Sequence, residues 1–224
     1  MVKKKVNKLK KDIDCCFTED GKWLFFDVGY TLVNEDKVHK KRVEETVRLN
    51  KGFSYDDIYN AMIEASKDYK QPYPTAVKKL NILNSASYDH SLERPYEDAE
   101  FILSKLHRVY KIGIIANQSR GTEERLKSYG LLDYIDLIVS SEEEGVSKPD
   151  LRIFKLALDK AGVMANEAIM IGDRLDNDIY PVKTVGMKTI WIKQGLGAVQ
   201  KPRSEEYKSD YEIDKLSDIV NILL

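Results

Sequence analysis

The sequence predicts an α/β fold, a parallel sheet with helices on both faces, interrupted early by a small all-helical segment. Three observations carry that expectation. From about Trp23 onward, short apolar runs rich in β-branched and aromatic residues alternate with longer helical patterns, the order that builds βαβ units. Between Asn34 and Pro95 the alternation stops and only helical patterning is found. Several later helical patterns end in a glycine (Gly130, Gly162, Gly186), the residue that most readily adopts the left-handed cap conformation.

Taken in order, the first strand is expected at 23–27, where an apolar run ends in an aspartate. Helical periodicity then covers 36–49, 55–69 and 75–83, broken by Gly52, Pro72 and Pro74. The alternation resumes with helices at 97–109, 122–129, 151–161 and 176–185, set between strands at 111–116, 135–139, 168–171 and 189–192. A final helix is expected at 215–224. The organisation that follows is a basic tail at 1–21, an α/β core made of 22–33 and 95–224, and a helical insertion at 34–94.

Composition narrows the function. With 36 Lys+Arg against 37 Asp+Glu the net charge is -1, so the overall balance predicts neither nucleic acid nor an anionic membrane as partner, and a small ligand is favoured. The longest apolar runs, such as 112–116, fall far short of the roughly 20 residues that cross a bilayer. Cys15 and Cys16 are adjacent and too constrained to close a useful loop, which predicts a reducing compartment, the cytoplasm. The tail lysines (Lys3, Lys4, Lys5, Lys8, Lys10, Lys11) precede no apolar stretch, so a solvated tail or short helix is expected there rather than a secretory signal.

In open parallel sheets ligands bind beyond the carboxyl ends of the strands, where strand order reverses. Four such ends are informative: Asp27-Val28-Gly29-Tyr30-Thr31, then Asn117-Gln118-Ser119 after Ala116, then Ser147-Lys148-Pro149-Asp150, and last Gly172-Asp173-Arg174-Leu175-Asp176-Asn177-Asp178. Singly they are ordinary. Asp27 alone is a turn residue, Lys-Pro-Asp alone is a helix start capped by Asp150, Asp176 reads as a helix cap, and Thr31 as a cap or loop hydrogen bond. His39, His90 and His107 match no metal-ligand spacing and read as surface or structural, while Arg42 and Lys67 read as solvated helix face.

Together the four segments resemble the haloacid dehalogenase superfamily, over the chain from about residue 22 to its end. The resemblance implies a Rossmann-like sheet, with the insertion placed where the family carries a helical cap. It implies Asp27 as nucleophile and Mg²⁺ held by Asp27, the Gly29 carbonyl and Asp173, with Asp178 and Asn177 behind them holding metal waters or Lys148. Lys148 would neutralise the nucleophile and the transferring group, and Asn117 and Ser119 would stand in for the Ser/Thr that contacts the phosphoryl group. The expected activity is Mg²⁺-dependent hydrolysis of small phosphorylated metabolites through an aspartyl-phosphate on Asp27.

Two positions depart from the family's phosphatases. Their second aspartate, which protonates the leaving group and activates water, is replaced by Gly29, and the Ser/Thr ending the second motif is replaced by Ala116. Glu35, Asp36, Tyr30 or a residue of the insertion could substitute for the acid, and the sequence does not choose. Restoring an aspartate at Gly29 is therefore expected to raise phosphomonoester hydrolysis. The alternative reading is a catalytically weak metal- and phosphate-binding module acting as a sensor or partner. Carbon–halogen hydrolysis is disfavoured by the acidic Gly-Asp loop, and phosphonate hydrolysis needs an insertion lysine that Lys67, Lys70, Lys78 and Lys79 do not single out.

Overall fold

The computed structural model describes residues 23–224; the basic segment 1–21, with Cys15 and Cys16, lies outside the described residues. Its centre is a six-stranded parallel sheet of β1 (Trp23–Phe26), β4 (Lys111–Ala116), β5 (Leu137–Ser140), β6 (Ala168–Gly172), β7 (Lys188–Ile192) and β8 (Tyr211–Ile213). The spatial order is β5-β4-β1-β6-β7-β8. The chain leaves β1 toward one edge and returns to build β6 on its other side, so strand order reverses about β1 and opens a crevice at its carboxyl end.

Alternation along the strands divides the core in two. Leu24, Phe26, Ile112, Ile114, Ile169 and Ile171 face the layer of α4 (Ala99–Leu106) and the C-terminal turns, whereas Phe25, Ile115 and Met170 face α7 (Leu151–Ala161). On that second face Phe25 pairs in register with Gly113, and a Cβ at Gly113 would fall 2.5 Å from the Phe25 ring. The absent side chain makes room for the ring.

Between β1 and α4 the chain forms α1 (Asp36–Leu49), α2 (Tyr55–Lys67) and α3 (Pro72–Lys79). These enclose their own apolar cluster, with Val43, Ile58, Met62, Tyr73 and Ala76 at its centre. Ser54 and Asp57 start α2 with a reciprocal capping box. Where the chain enters and leaves this insertion, β2 (Val33–Asn34) and β3 (Arg94–Pro95) pair antiparallel as a two-residue ribbon. Leu196 from the loop after β7 joins the insertion's cluster, and Ser66 Oγ donates to its carbonyl at 2.6 Å.

Several predicted boundaries move for identifiable reasons. Pro72 opens α3 instead of breaking a helix, because the first helical position needs no N–H. The single helix expected at 176–185 is a wide π turn at Leu175–Ile179 followed by α8 (Tyr180–Val185). Pro181 cannot donate to the carbonyl four residues back, so a regular helix cannot run through that point. The expected C-terminal helix begins as a 3₁₀ turn, Leu216–Ile219, and becomes α9 (Val220–Leu223). Strand β8 was missed because Tyr211-Glu212-Ile213 is too short to declare a period.

Candidate functional site

The four sequence segments that suggested chemistry converge where the sheet order reverses. Asp27 follows β1 directly, and its backbone N–H donates to the carbonyl of Ile171 at 2.9 Å, continuing the β1–β6 ladder by one bond. Lys148 reaches the same point from the loop before α7, its ammonium 2.8 Å from Asp27 Oδ1 and 2.6 Å from Asp178 Oδ1. The lysine and Asp178 side chains are buried. Asp178 is brought inward by the π turn, and its second oxygen accepts the backbone N–H of Arg174 at 3.0 Å. Gly172 permits this approach, since a Cβ there would lie 2.4 Å from the Asp178 carboxyl carbon.

Asp173 completes the cluster. Asp27, Asp173 and Asp178 each offer a carboxylate oxygen, and these oxygens lie within 4.8 Å of one another. Three carboxylates crowd together, and the one ammonium of Lys148 bonds two of them, Asp27 and Asp178. Burial, followed by the fields of Asp178 and Asp27, holds the Asp173 carboxyl well above the usual range. For Asp178, burial raises the carboxyl and Lys148 only partly offsets it. Burial alone would lower the Lys148 ammonium, but Asp178 and Asp27 outweigh it and raise it. An oxygen-only donor set with excess buried negative charge is the chemistry that suits a hard divalent cation.

Above these strand ends lies a cavity of about 260 Å³, lined by Asp27, Gly29, Lys148 and Asp173 from the core and by Glu35, His39, Arg42, Tyr73 and Tyr88 from the insertion. Its size matches a small metabolite rather than a polymer. Asn177 and Gln118 also line it. Asn117 is at the wall, but its amide is spent on Lys148: Nδ2 donates to the lysine carbonyl at 2.8 Å and Oδ1 accepts the lysine N–H at 2.7 Å. It fixes the lysine rather than presenting a free amide to a ligand. Ser119 is not brought to the cavity; it is exposed, with Oγ 3.2 Å from His90 Nε2.

Other residues fall differently from their sequence readings. Asp176 caps nothing, because its carboxylate is bonded by the Arg174 guanidinium at 3.1 and 2.6 Å and by Gln200 at 2.7 Å. Thr31 is fully buried, and its hydroxyl has no hydrogen-bond partner among the described residues. Asp150 does cap α7, accepting the Arg152 N–H at 2.9 Å. His90 and His107 pair with Glu93 and Asp136 away from the cavity, and Lys67 pairs on the surface with Glu64. His39 and Arg42, by contrast, belong to the cavity wall. The ring of His39 stacks on Tyr30, and the Arg42 guanidinium lies 3.6 Å from the Tyr73 ring centroid while its Nε donates to the Ala86 carbonyl. A signal for this wall exists in the sequence: positions 35, 39 and 42 fall on one face of a helix.

Comparison with known proteins agrees with this architecture. The family model for haloacid dehalogenase-like hydrolases matches residues 24–192. The chain is 31% identical to a glyceraldehyde 3-phosphate phosphatase of Pyrococcus furiosus, over 90% of this chain and 92% of that protein. It is 28% identical to the pyrimidine 5′-nucleotidase YjjG of Escherichia coli, over 90% of this chain and 97% of that one. Among solved structures it is similar to a HAD phosphatase from Thermococcus onnurineus, with a TM-score of 0.63, 26% identity, and coverage of 90% of this chain and 97% of that one. No helix among the described residues is long and apolar enough to cross a membrane. With the family model matched over most of its length, this chain belongs to the haloacid dehalogenase-like hydrolases.

Proposed function

We propose that this protein is a Mg²⁺-dependent phosphatase of small phosphorylated metabolites that works through an aspartyl-phosphate on Asp27. The observation that carries the reading is the triple junction of Asp27, Lys148 and the buried Asp173–Asp178 pair at the floor of a small cavity. Asp27 Oδ attacks phosphorus and the bond to the leaving oxygen breaks. Water then attacks the phosphorus and the Asp27–phosphorus bond breaks, releasing phosphate and regenerating the carboxylate. Lys148 holds Asp27 in place and sits where charge builds on the transferring group. Asp178 and Asn117 keep the lysine there, one by its ammonium and the other by its backbone.

Asp27, Asp173 and the Gly29 carbonyl would hold Mg²⁺, with Asp178 behind them. When bound, the ion supplies positive charge to the phosphoryl oxygens and to the crowded carboxylates. Helices α1–α3 would act as a cap, covering the cavity, selecting the ester and excluding water. Names of the relatives support phosphate esters of small metabolites as the substrate class, glyceraldehyde 3-phosphate and a pyrimidine 5′-nucleotide among them.

The test is a turnover panel of those two esters with phosphoserine and p-nitrophenyl phosphate, run with Mg²⁺ and with chelator. Sustained Mg²⁺-dependent phosphate release from at least one ester is expected. Phosphate binding with no turnover of any ester would favour the metal- and phosphate-binding module that Gly29 and Ala116 otherwise suggest.

A further inference from the structure

An alkyl phosphate leaves as an alkoxide unless a proton reaches its oxygen, and the water of the second step must lose one. The titratable groups around the cavity can be sorted by what already holds them. Asp27 and Asp178 are bonded to Lys148, and Asp173 is crowded against both. Tyr30 is buried and Tyr88 half-buried, and burial together with neighbouring carboxylates pushes both phenols far up, so they give up protons reluctantly. Arg42 and Arg174 keep their charge. The Tyr73 hydroxyl is bonded to Thr46 Oγ1 at 2.6 Å and accepts the Ala86 N–H at 3.0 Å. Glu35 and His39 are left, and they face each other, with His39 Nε2 3.5 Å from Glu35 Oε2 and the Tyr88 hydroxyl also beside Glu35.

The position of Glu35 decides between them. An ideal Cβ built on Gly29 would lie 2.5 Å from Glu35 Oε1 and 2.9 Å from its carboxyl carbon. That oxygen sits about as far from the Cβ position as an aspartate's own carboxylate oxygens sit from their Cβ. A carboxylate thus occupies the space into which a side chain at Gly29 would project, two residues along the chain from Asp27 and on the cavity wall. Gly29 does not have a positive φ, so its lack of a side chain answers to that space rather than to a backbone requirement.

We infer that Glu35 is the general acid and base of this site, delivered from the start of α1 into the space left by Gly29, with His39 as its positioning residue. In the first step Glu35 gives its proton to the leaving oxygen as the phosphorus–oxygen bond breaks, releasing a neutral alcohol. In the second step the Glu35 carboxylate takes a proton from the attacking water, and the Asp27 carboxylate and phosphate are released. The proton lost in one half is regained in the other. An aspartate at Gly29 would therefore meet the Glu35 carboxylate already in that space, and would exchange one carboxylate for another.

The inference rests on the phosphatase reading, and the experiment separates the two. Glu35→Gln, which keeps shape, is compared with the wild type on the panel's best alkyl phosphate and on p-nitrophenyl phosphate, whose leaving group needs no proton. Steady-state turnover should fall ~10²–10³-fold on both. With p-nitrophenyl phosphate the variant should still release about one equivalent of nitrophenolate per protein in a fast burst and accumulate phosphoprotein, since only the water step is crippled; the alkyl ester should give no burst. In a Glu35→Ala background, Gly29→Asp should recover turnover ~10-fold or more. An unchanged rate, a burst phase slowed as much as turnover, or a folded double variant with no recovery would overturn the assignment of Glu35. A wild-type protein inert toward every ester would instead overturn the phosphatase reading and this inference with it.

Discussion

The floor and the wall of the cavity are built on different principles. On the floor, Asp27 and Asp173 project from strand ends, Asp178 from the π turn and Lys148 from the loop before α7, largely buried, with the lysine locked at 2.8 and 2.6 Å between two carboxylates. Asp27 is held by the sheet ladder itself, Lys148 by Asn117, and Asp178 by the Arg174 N–H. On the wall, Glu35 at the N-cap of α1 and His39 and Arg42 within it are half-buried and more loosely held, His39 approaching Glu35 at 3.5 Å and Arg42 lying over the Tyr73 ring. A rigid floor suits the invariable part of the reaction, the handling of the phosphoryl group. A wall carried on a separate packed unit suits the part that changes between esters, the leaving group.

If that division is right, substitutions on the floor should strike turnover and those on the wall should strike recognition or proton transfer. Asp27→Asn carries the largest expected effect, a loss of at least ~10³-fold in kcat with little change in thermal midpoint, because the nucleophile goes while its shape remains. Lys148→Ala should cost ~10²–10³-fold in kcat and also lower stability by about 3–5 kcal/mol, read by denaturant unfolding, since it leaves Asp178 buried without its cation. Arg42→Ala should raise KM ~10-fold or more while leaving kcat within a few-fold, because a guanidinium facing the cavity binds ground state and transition state alike. Equal losses in kcat and kcat/KM would move Arg42 from the wall's role to the floor's. The smallest effect belongs to Ser119→Ala, expected within about 0.5 kcal/mol of wild-type stability and near wild-type kinetics, because the side chain lies exposed and outside the cavity.

The same division governs what could be read before the structure. Asp27 and Asp173 directly follow recognisable strands, and a parallel sheet sends its strand ends to one side, so strand period alone brings those two together; Lys148 and Asp178 joined them only through the resemblance of the four segments to a known family. Asn117 does reach the cavity wall, but nothing local in the sequence reveals that its amide meets the backbone of Lys148, 31 positions away. Ser119, one residue beyond Gln118 of the cavity wall, lies exposed, and residue spacing alone does not show where the wall ends. The wall was legible only as a helix. Glu35, His39 and Arg42 share a face at helical spacing, yet whether that face meets solvent or a cavity depends on how α1 sits over β1, which no periodicity encodes. The π turn was hidden for a related reason: Pro181 signals a disturbance, but not that the widened turn will swing Asp178 under Lys148.

In the proposed mechanism Asp27 carries the phosphoryl group between the two steps, and mass spectrometry of acid-quenched protein during turnover can see it there. With Mg²⁺ and a hydrolysed ester present, the peptide containing Asp27 should gain the mass of one phosphoryl group. That gain should disappear with chelator and in Asp27→Asn. Phosphate release by a protein whose Asp27 peptide never gains that mass, or undiminished release by Asp27→Asn, would contradict the claim and place the chemistry on another group.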